Sequence, residues 1–314
     1  MGKQLNLKMD NTLVIFATSL ASASNLNGRY DFHSAWRRIL ANNETRIKNV
    51  KTRCLDTNGN PILSDGEFVE PFKDLIEFHA EKSLEHNMTP LELRFLAQKI
   101  LKEKIPDCLD GPDPNLHILQ VFSSLRKCRG SILQEKVFEE KFKCSEWWSQ
   151  NIGKRFDILK VSSEFPVTLQ LKEQNAVIRG KIDYLITLQS RSNREHKFVL
   201  PVEVKTSESL WIDNGRDIKK PAWMAFVPYT VNTPHKTIQL SHWIQLQTYL
   251  VALGMDYPLF ADEDITNSMP VGVLVEYGTS QENVRISIVP WDVKLYHEQV
   301  INVLGNIVEN EIKI

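Results

Sequence analysis

The spacing of hydrophobic and polar positions predicts helices in the first half of the chain and mainly strands after it. Four helices are predicted from apolar residues at helical spacing, at 72–85, 89–102, 117–127 and 131–148. Runs of β-branched and alternating apolar residues predict strands at 165–172, 176–188, 197–205, 271–277 and 284–289. Two further helices are expected, at 241–253 and from residue 292 onward. This order of elements predicts an α/β protein with a central mixed β-sheet flanked by helices.

The clearest break in the pattern lies at residues 105–114, which contain three prolines and one glycine. Before it, Thr89 and Pro90 occupy the N-cap and first-turn positions of the second helix. We therefore divide the chain into a mostly helical N-terminal accessory region at 1–115 and a core at 116–314. Nothing in the pattern assigns a role to residues 1–115, although binding of a protein partner is one possibility.

Composition changes this picture little. Of the 314 residues, 42% are hydrophobic and 25% are charged, which is typical of globular proteins and excludes collagenous, disordered and coiled-coil chains. Lys and Arg number 38 against 39 for Asp and Glu, so the net charge is -1. Because no basic field covers the whole protein, any nucleic-acid site must be local.

An intracellular location is expected. The four cysteines, Cys54, Cys108, Cys128 and Cys144, are scattered and form no C-x-x-C pair, which argues against a zinc site or a disulfide framework. Residues 13–20 are apolar and precede Ala21-Ser-Ala23, which imitates a secretory cleavage site, but Asp10, shortly before them, favours a first core strand or helix. No apolar run approaches the roughly 18 to 20 residues that span a bilayer, so we expect neither secretion nor membrane insertion.

Candidate chemistry lies on two successive strands. Glu203 and Lys205 are two residues apart and therefore project from the same side of their strand, and a hairpin would bring Asp183 to that surface. Two carboxylates form a hard oxygen site suited to Mg²⁺ or Mn²⁺, which can assist phosphodiester hydrolysis while the lysine orients or deprotonates water. The alternative is a solvated ion pair on an exposed strand. The apolar residues around Glu203 favour the site, since a charge on a buried strand requires a reason.

The motifs Gly180-x-x-Asp183, Glu203-x-Lys205 and Gln245-x-x-x-Tyr249 occur in this order on two strands and a helix. The set resembles the RecB-like, lambda-exonuclease-related branch of the PD-(D/E)XK nuclease superfamily, over about half to two-thirds of the chain. This resemblance implies a restriction-endonuclease-like core in residues 116–314 and a metal held by Asp183 and Glu203. It also implies a water-orienting role for Lys205 and a site-organising or strand-end-binding role for Gln245 and Tyr249.

The first motif of that family departs from the pattern. Relatives commonly open this helix with Gly-Thr-x-x-His, and their histidine binds metal, but Gly130 is followed here by Gln134 at the histidine position. An amide oxygen is a weaker ligand, so Glu135 or Glu139, one helical turn apart, is expected to complete the site together with Gln134. Which acid does so is open, and both can equally be exposed helix charges.

Some relatives carry an iron-sulfur cluster held by one cysteine before the first motif and three after the last. This chain has no cysteine after Cys144. We therefore expect no iron-sulfur cluster.

Basic and aromatic side chains are concentrated in two segments. Residues 126–160 carry nine basic and five acidic side chains together with Trp147 and Trp148, although tryptophans in such a helix can also be buried. Residues 206–240 form an unusually long connection, which is expected to cover the substrate strand. Its candidate nucleic-acid-binding residues are Arg216, Lys219, Lys220, Trp223 and Tyr229.

The expected function is therefore Mg²⁺- or Mn²⁺-dependent cleavage of DNA. By analogy with the family, an exonuclease acting on single-stranded or free-ended DNA is preferred over an endonuclease. Two alternatives stay open: a catalytically degenerate nucleic-acid-binding or assembly module on the same fold, and an RNA nuclease. The substitution by Gln134 favours the first, whereas the intact Asp183, Glu203 and Lys205 argue against it.

Overall fold

The computed structural model describes residues 13–17, 68–110, 114–171, 176–207, 226–228, 237–254, 271–279, 282–297 and 301. Contacts within the chain divide it into two compact units. A helical unit comprises Arg53–Cys144 and Lys205–Glu208, and a sheet unit comprises Met1–Thr52, Ser145–Val204 and Ser209–Ile314. The described residues combine helices with a six-stranded mixed sheet, so the α/β class expected from the sequence is confirmed.

The helical unit is built on one long helix. A 3₁₀ turn (Glu70–Phe72) leads into α1 (Lys73–Glu85), followed by α2 (Pro90–Lys104), the short α3 (Asp107–Asp110) and α4 (Pro114–Lys136). Helices α1 and α2 both pack on α4 through a shared apolar core that includes Ala80, Ala97 and Val121. The predicted start of α2 is confirmed, because the Thr89 side chain accepts a hydrogen bond from Glu92 N–H and the Glu92 carboxylate accepts one from Thr89 N–H.

The prediction of two helices in residues 117–148, separated near Gly130, is wrong. Helix α4 runs through Gly130 without interruption and continues into a π-helical segment (Val137–Lys143). A β-carbon added at Gly130 would lie 3.1 Å from Oγ1 of Thr206, so the glycine allows a close approach between the helix and residue 206. The glycine therefore reflects packing, not a turn.

The first described element of the sheet unit is β1 (Leu13–Phe16), which bears out the core strand expected in this segment. After the short α5 (Glu146–Trp148) and a π-helical segment (Ser149–Gly153), the main strands are β2 (Phe156–Leu171), β3 (Ala176–Ser190) and β4 (Lys197–Ser207). Strands β5 (Phe226–Pro228) and β6 (Thr237–Gln239) form a separate two-stranded sheet. Helix α6 (Leu240–Ala252), β7 (Val271–Gly278), β8 (Asn283–Pro290) and α7 (Val293–Tyr296) follow.

The six-stranded sheet is mixed. Its order is β1-β3-β4-β7-β8, and β2 also pairs with β3. Strand β1 is parallel to β3, whereas β2 and β4 are antiparallel to β3, and β7 is antiparallel to β8. Helix α6 packs on this sheet and is buried on all sides from Trp243 to Leu250. A helix in this position brings any polar residue it carries into the core.

Candidate active site

The main sheet is split beside β3. Strand β2 pairs with β3 along its whole length, from Ala176 to Ser190. On the opposite edge, β1 pairs with residues 176–179 and β4 with residues 184–189. On this edge, residues 180–183 of β3 therefore lie between the segment that pairs with β1 and the segment that pairs with β4, in the pairing that the structure describes. Main-chain groups at this split need other hydrogen-bond partners, and side chains of the predicted motifs supply them.

Asp183 bridges the two strands where their ladder ends. The last β3–β4 pair is Tyr184 with Val202. Two residues further along β4, the Val204 N–H donates to Oδ2 of Asp183 at 2.7 Å. The carboxylate takes the place of a main-chain acceptor, and Asp183 itself is half-buried. The hairpin expected from the sequence therefore does bring Asp183 to the segment that carries Glu203.

Glu203 lies inside the protein, with 0% of its surface exposed. Gln245 Nε2 donates a hydrogen bond to its Oε1 at 2.6 Å, and Oε2 is also buried. Removing a carboxylate from water is costly unless charge or several hydrogen bonds compensate for it. Carboxylate oxygens are hard ligands, so Glu203 is chemically suited to hold a divalent cation.

Lys205 follows Glu203 by two residues on β4 and is half-buried. Side chains alternate along a strand, so the two project from the same side of β4. The surrounding residues from Leu200 to Val204 are buried. The pair is therefore not the solvated surface ion pair that was the alternative interpretation.

Gln245 and Tyr249 continue a chain of hydrogen bonds across the split. Gln245 Nε2 donates to the Tyr249 hydroxyl at 2.8 Å, and this hydroxyl donates to the Lys181 carbonyl at 2.7 Å. Burial raises the pKa of Tyr249 far above its ordinary value, and nearby Glu203 and Asp183 raise it further, against a smaller opposing effect of Gln245. Tyr249 is therefore a neutral donor that satisfies the Lys181 carbonyl of β3, in the stretch between the described pairings with β1 and β4.

Gly180 has a steric reason to be glycine. A β-carbon at this position would lie 2.7 Å from Cε1 of Tyr249 and 3.1 Å from Cβ of Ala17. The Tyr249 ring therefore rests directly on the β3 backbone. Any side chain at residue 180 would displace the ring and with it the hydroxyl that binds Lys181.

The first-motif residues belong to the helical unit. Gln134 is half-buried, whereas Glu135 and Glu139 are exposed, and Glu139 forms an ion pair of 2.6 Å with Lys143. Their participation in a metal site with Asp183 and Glu203 stays a prediction. In the described part of the chain, no group of three or more His, Cys, Asp or Glu side chains is arranged to hold a metal ion.

The predicted nucleic-acid-binding residues Arg216, Lys219, Lys220, Trp223 and Tyr229 lie outside the described residues. Of the two tryptophans in the basic segment, Trp148 is buried and Trp147 is partly exposed. Among the described helices, none is both long and apolar enough to cross a membrane.

Sequence reasoning missed two polar features around α6. Gln247 is fully buried and donates to the Pro290 carbonyl while accepting from Asp292 N–H. It joins α6 to the end of β8. The other feature is a buried network in which Glu276 contacts His242 and Arg285. The sequence signal for this network was Glu276, the single acid in the otherwise mainly apolar strand β7.

Comparison with known proteins adds little to this geometry. No family model and no curated protein matches the chain. Among solved structures, the chain is similar to the crystal structure of SSO0001, with 15% sequence identity and a TM-score of 0.31. That similarity covers 78% of this chain and 89% of the other. A TM-score this low carries no argument about fold or function.

Proposed function

We propose that the chain is a divalent-metal-dependent nuclease whose core is restriction-endonuclease-like and related to the RecB-like branch of the PD-(D/E)XK superfamily. The observation that carries this proposal is the fully buried Glu203, held by Gln245 beside the sheet split that Asp183 bridges. Gln245 holds Oε1 of Glu203 in one orientation through a hydrogen bond of 2.6 Å. Hydrolysis at a metal-bound phosphate requires oxygen ligands of this type.

Each residue of the proposed site has a different role. Asp183 and Glu203 offer hard oxygen ligands of the kind that Mg²⁺ and Mn²⁺ prefer. When bound, such an ion neutralises charge on a phosphodiester and lowers the pKa of attacking water. Lys205 orients or deprotonates that water. Gln245 fixes the orientation of Glu203, and Tyr249 links Gln245 to the backbone of β3.

DNA is the preferred substrate, with an exonuclease acting on single-stranded or free ends preferred over an endonuclease; both preferences rest on the family resemblance. A second candidate is a non-catalytic nucleic-acid-binding or assembly module. Gln134 in place of a histidine, with exposed Glu135 and Glu139 after it, favours that candidate. An RNA nuclease on the same scaffold is the third.

Wild-type protein assayed on 5′- and 3′-labelled single-stranded DNA, duplex DNA and RNA tests the proposal. We expect cleavage of DNA with Mg²⁺ or Mn²⁺ and none with EDTA. Asp183→Asn protein, purified in the same way, controls for contaminating nucleases and is expected to be inactive. Nucleic-acid binding without cleavage of any substrate would instead identify the non-catalytic module, and preferential cleavage of RNA would change the substrate class.

Gly180→Ala is expected to slow cleavage more than its effect on folding explains. The new β-carbon must push the Tyr249 ring away, at a cost of about 1–3 kcal/mol of stability, and disturbs the hydrogen bonds that hold Glu203. Cleavage rate and urea unfolding should be measured together.

Gly272→Ala provides the matched control. A β-carbon there would lie 2.8 Å from Cδ1 of Leu246, so this variant also overpacks α6 but touches no member of the polar chain. It should lose comparable stability and keep its cleavage rate. Equal rates for the two variants would contradict a role for the Tyr249 contact.

A further inference from the structure

One face of α6 carries a row of polar residues that each contact a different strand. His242 contacts Glu276 of β7 at 3.0 Å, Gln245 contacts Glu203 of β4 at 2.6 Å, and Tyr249 contacts the Lys181 carbonyl of β3 at 2.7 Å. The three strands are neighbours in the sheet. Residues three apart on a helix have Cβ atoms about 5–6 Å from each other. His242 is therefore the immediate neighbour of Gln245 in the row.

Two buried charges lie beneath His242. Glu276 and Arg285 face each other across β7 and β8 and are 3% and 5% exposed. Arg285 Nε donates to Oε2 of Glu276 at 2.6 Å, and a second guanidinium nitrogen contacts the same oxygen. A buried ion pair of this kind is weak as a source of stability, since apolar residues of similar volume usually do as well. Its presence among the mainly apolar residues of these strands calls for another reason.

The network fixes the histidine ring. Burial acts to raise the pKa of Glu276, but the hydrogen bond from His242 and the charge of Arg285 outweigh it, so the net pKa lies below the ordinary value. An ionised carboxylate only accepts hydrogen bonds, so Nδ1 of His242 carries the hydrogen that Glu276 binds. The other ring nitrogen, Nε2, lies on the far side of the ring. Its orientation is set by a carboxylate, as in many functional histidines.

His242 is also the exposed end of the network. Its side chain is 22% exposed, against 4% for Glu276. The buried charges therefore support one partly exposed ring, one helical turn from the amide that holds Glu203.

We propose that His242 is a further substrate-contacting residue, whose Nε2 binds a phosphate of the nucleic-acid strand held at Asp183 and Glu203. Glu276 and Arg285 act as positioning residues for its ring. The inference rests on the nuclease function proposed above. Phosphate oxygens are the commonest acceptors in nucleic-acid complexes, and protonated imidazole donates to them.

His242→Asn separates this role from a structural one. The shorter amide can still donate to Glu276 from near the former Nδ1 position, while the group at the Nε2 position is lost. We expect the Kd for a labelled single-stranded oligonucleotide in EDTA to rise about tenfold. The slope of log Kd against log salt should fall by about 0.7, the value for one phosphate contact on a single strand. KM should rise with kcat nearly unchanged.

His196→Asn is the matched control, since His196 is exposed in the turn between β3 and β4 and its ring contacts Asn193 and the Phe198 ring. It should bind and cleave like the wild type. A folded His242→Asn protein with wild-type Kd, salt slope and KM would overturn the inference while leaving the nuclease proposal intact. Wild-type protein that neither binds nor cleaves nucleic acid would overturn both. If His242→Asn is unstable, His242→Gln, which keeps a donor near the Nε2 position, should restore affinity; an equal loss of affinity in both variants would contradict the phosphate contact.

Discussion

Glu203→Gln is expected to lower the rate of metal-dependent cleavage by about 10³-fold or more. The substitution removes the charge of the fully buried acid while keeping its shape. A metal ion contributes several kcal/mol of transition-state stabilisation, and each factor of ten in rate corresponds to about 1.4 kcal/mol. Initial rates on end-labelled DNA with Mg²⁺ and Mn²⁺ measure the effect.

The same chemical change at an exposed position gives the control. Glu195→Gln alters a residue in the turn between β3 and β4, outside the site, and should leave the rate within about twofold. Because the amide keeps the shape of the carboxylate side chain, the Glu203→Gln variant should fold like the wild type. An unstable variant, or one that cleaves at the wild-type rate, would contradict the proposed role of Glu203.

Arg285→Met is expected to lower the free energy of unfolding by about 3–5 kcal/mol at neutral pH, because it leaves the buried Glu276 carboxylate without its cationic partner. Chemical denaturation of wild type and variant measures this loss. Arg191→Met is the matched control. Arg191 pairs with Asp157 at the surface, where the two side chains are 53% and 47% exposed, so its loss should cost less than about 1 kcal/mol. Equal losses of unfolding free energy in the two variants would contradict the claim that Arg285 compensates the buried charge of Glu276.

The difference in unfolding free energy between the wild type and Arg285→Met should also change with pH in a defined direction. In the wild type the pKa of Glu276 is lower in the folded state, so its contribution is present above about pH 4.5, the unfolded value, and is lost as pH falls through the folded pKa. Without Arg285, burial is expected to raise the folded pKa above the unfolded one. The variant therefore recovers stability by protonation, and its deficit should be smaller at about pH 5 than at about pH 8.

Local patterns predicted much of the fold. Strands β3 and β4 and helix α6 follow from period-two and period-3.6 spacing, and Thr89 marks the start of α2 because its capping chemistry is local. Asp183 and Glu203 could be selected from the sequence because acids are unusual on buried strands, whereas Gln245 and Tyr249 were implied by the family resemblance. Asp183, Glu203, Gln245 and Tyr249 are indeed brought together.

Long-range pairing could not be predicted in the same way. The split beside residues 180–183 arises because β1, from the start of the chain, shares an edge of β3 with β4. The pattern placed a break between two helices near Gly130, but this glycine lies inside one helix and contacts Thr206, far away in sequence. Glu276 and Arg285 lie on separately predicted strands, and only the register of β7 and β8 shows that they face each other.

Equilibrium titration with Mn²⁺, followed by electron paramagnetic resonance or calorimetry, tests the central claim most directly, since it needs no substrate. We predict that the wild type binds Mn²⁺ and that Asp183→Asn and Glu203→Gln each weaken binding at least about tenfold, as loss of even an outer supporting group can do. Glu195→Gln should bind like the wild type. Absence of Mn²⁺ binding to the wild type, or equal affinity in all three variants, would contradict a metal site at Asp183 and Glu203.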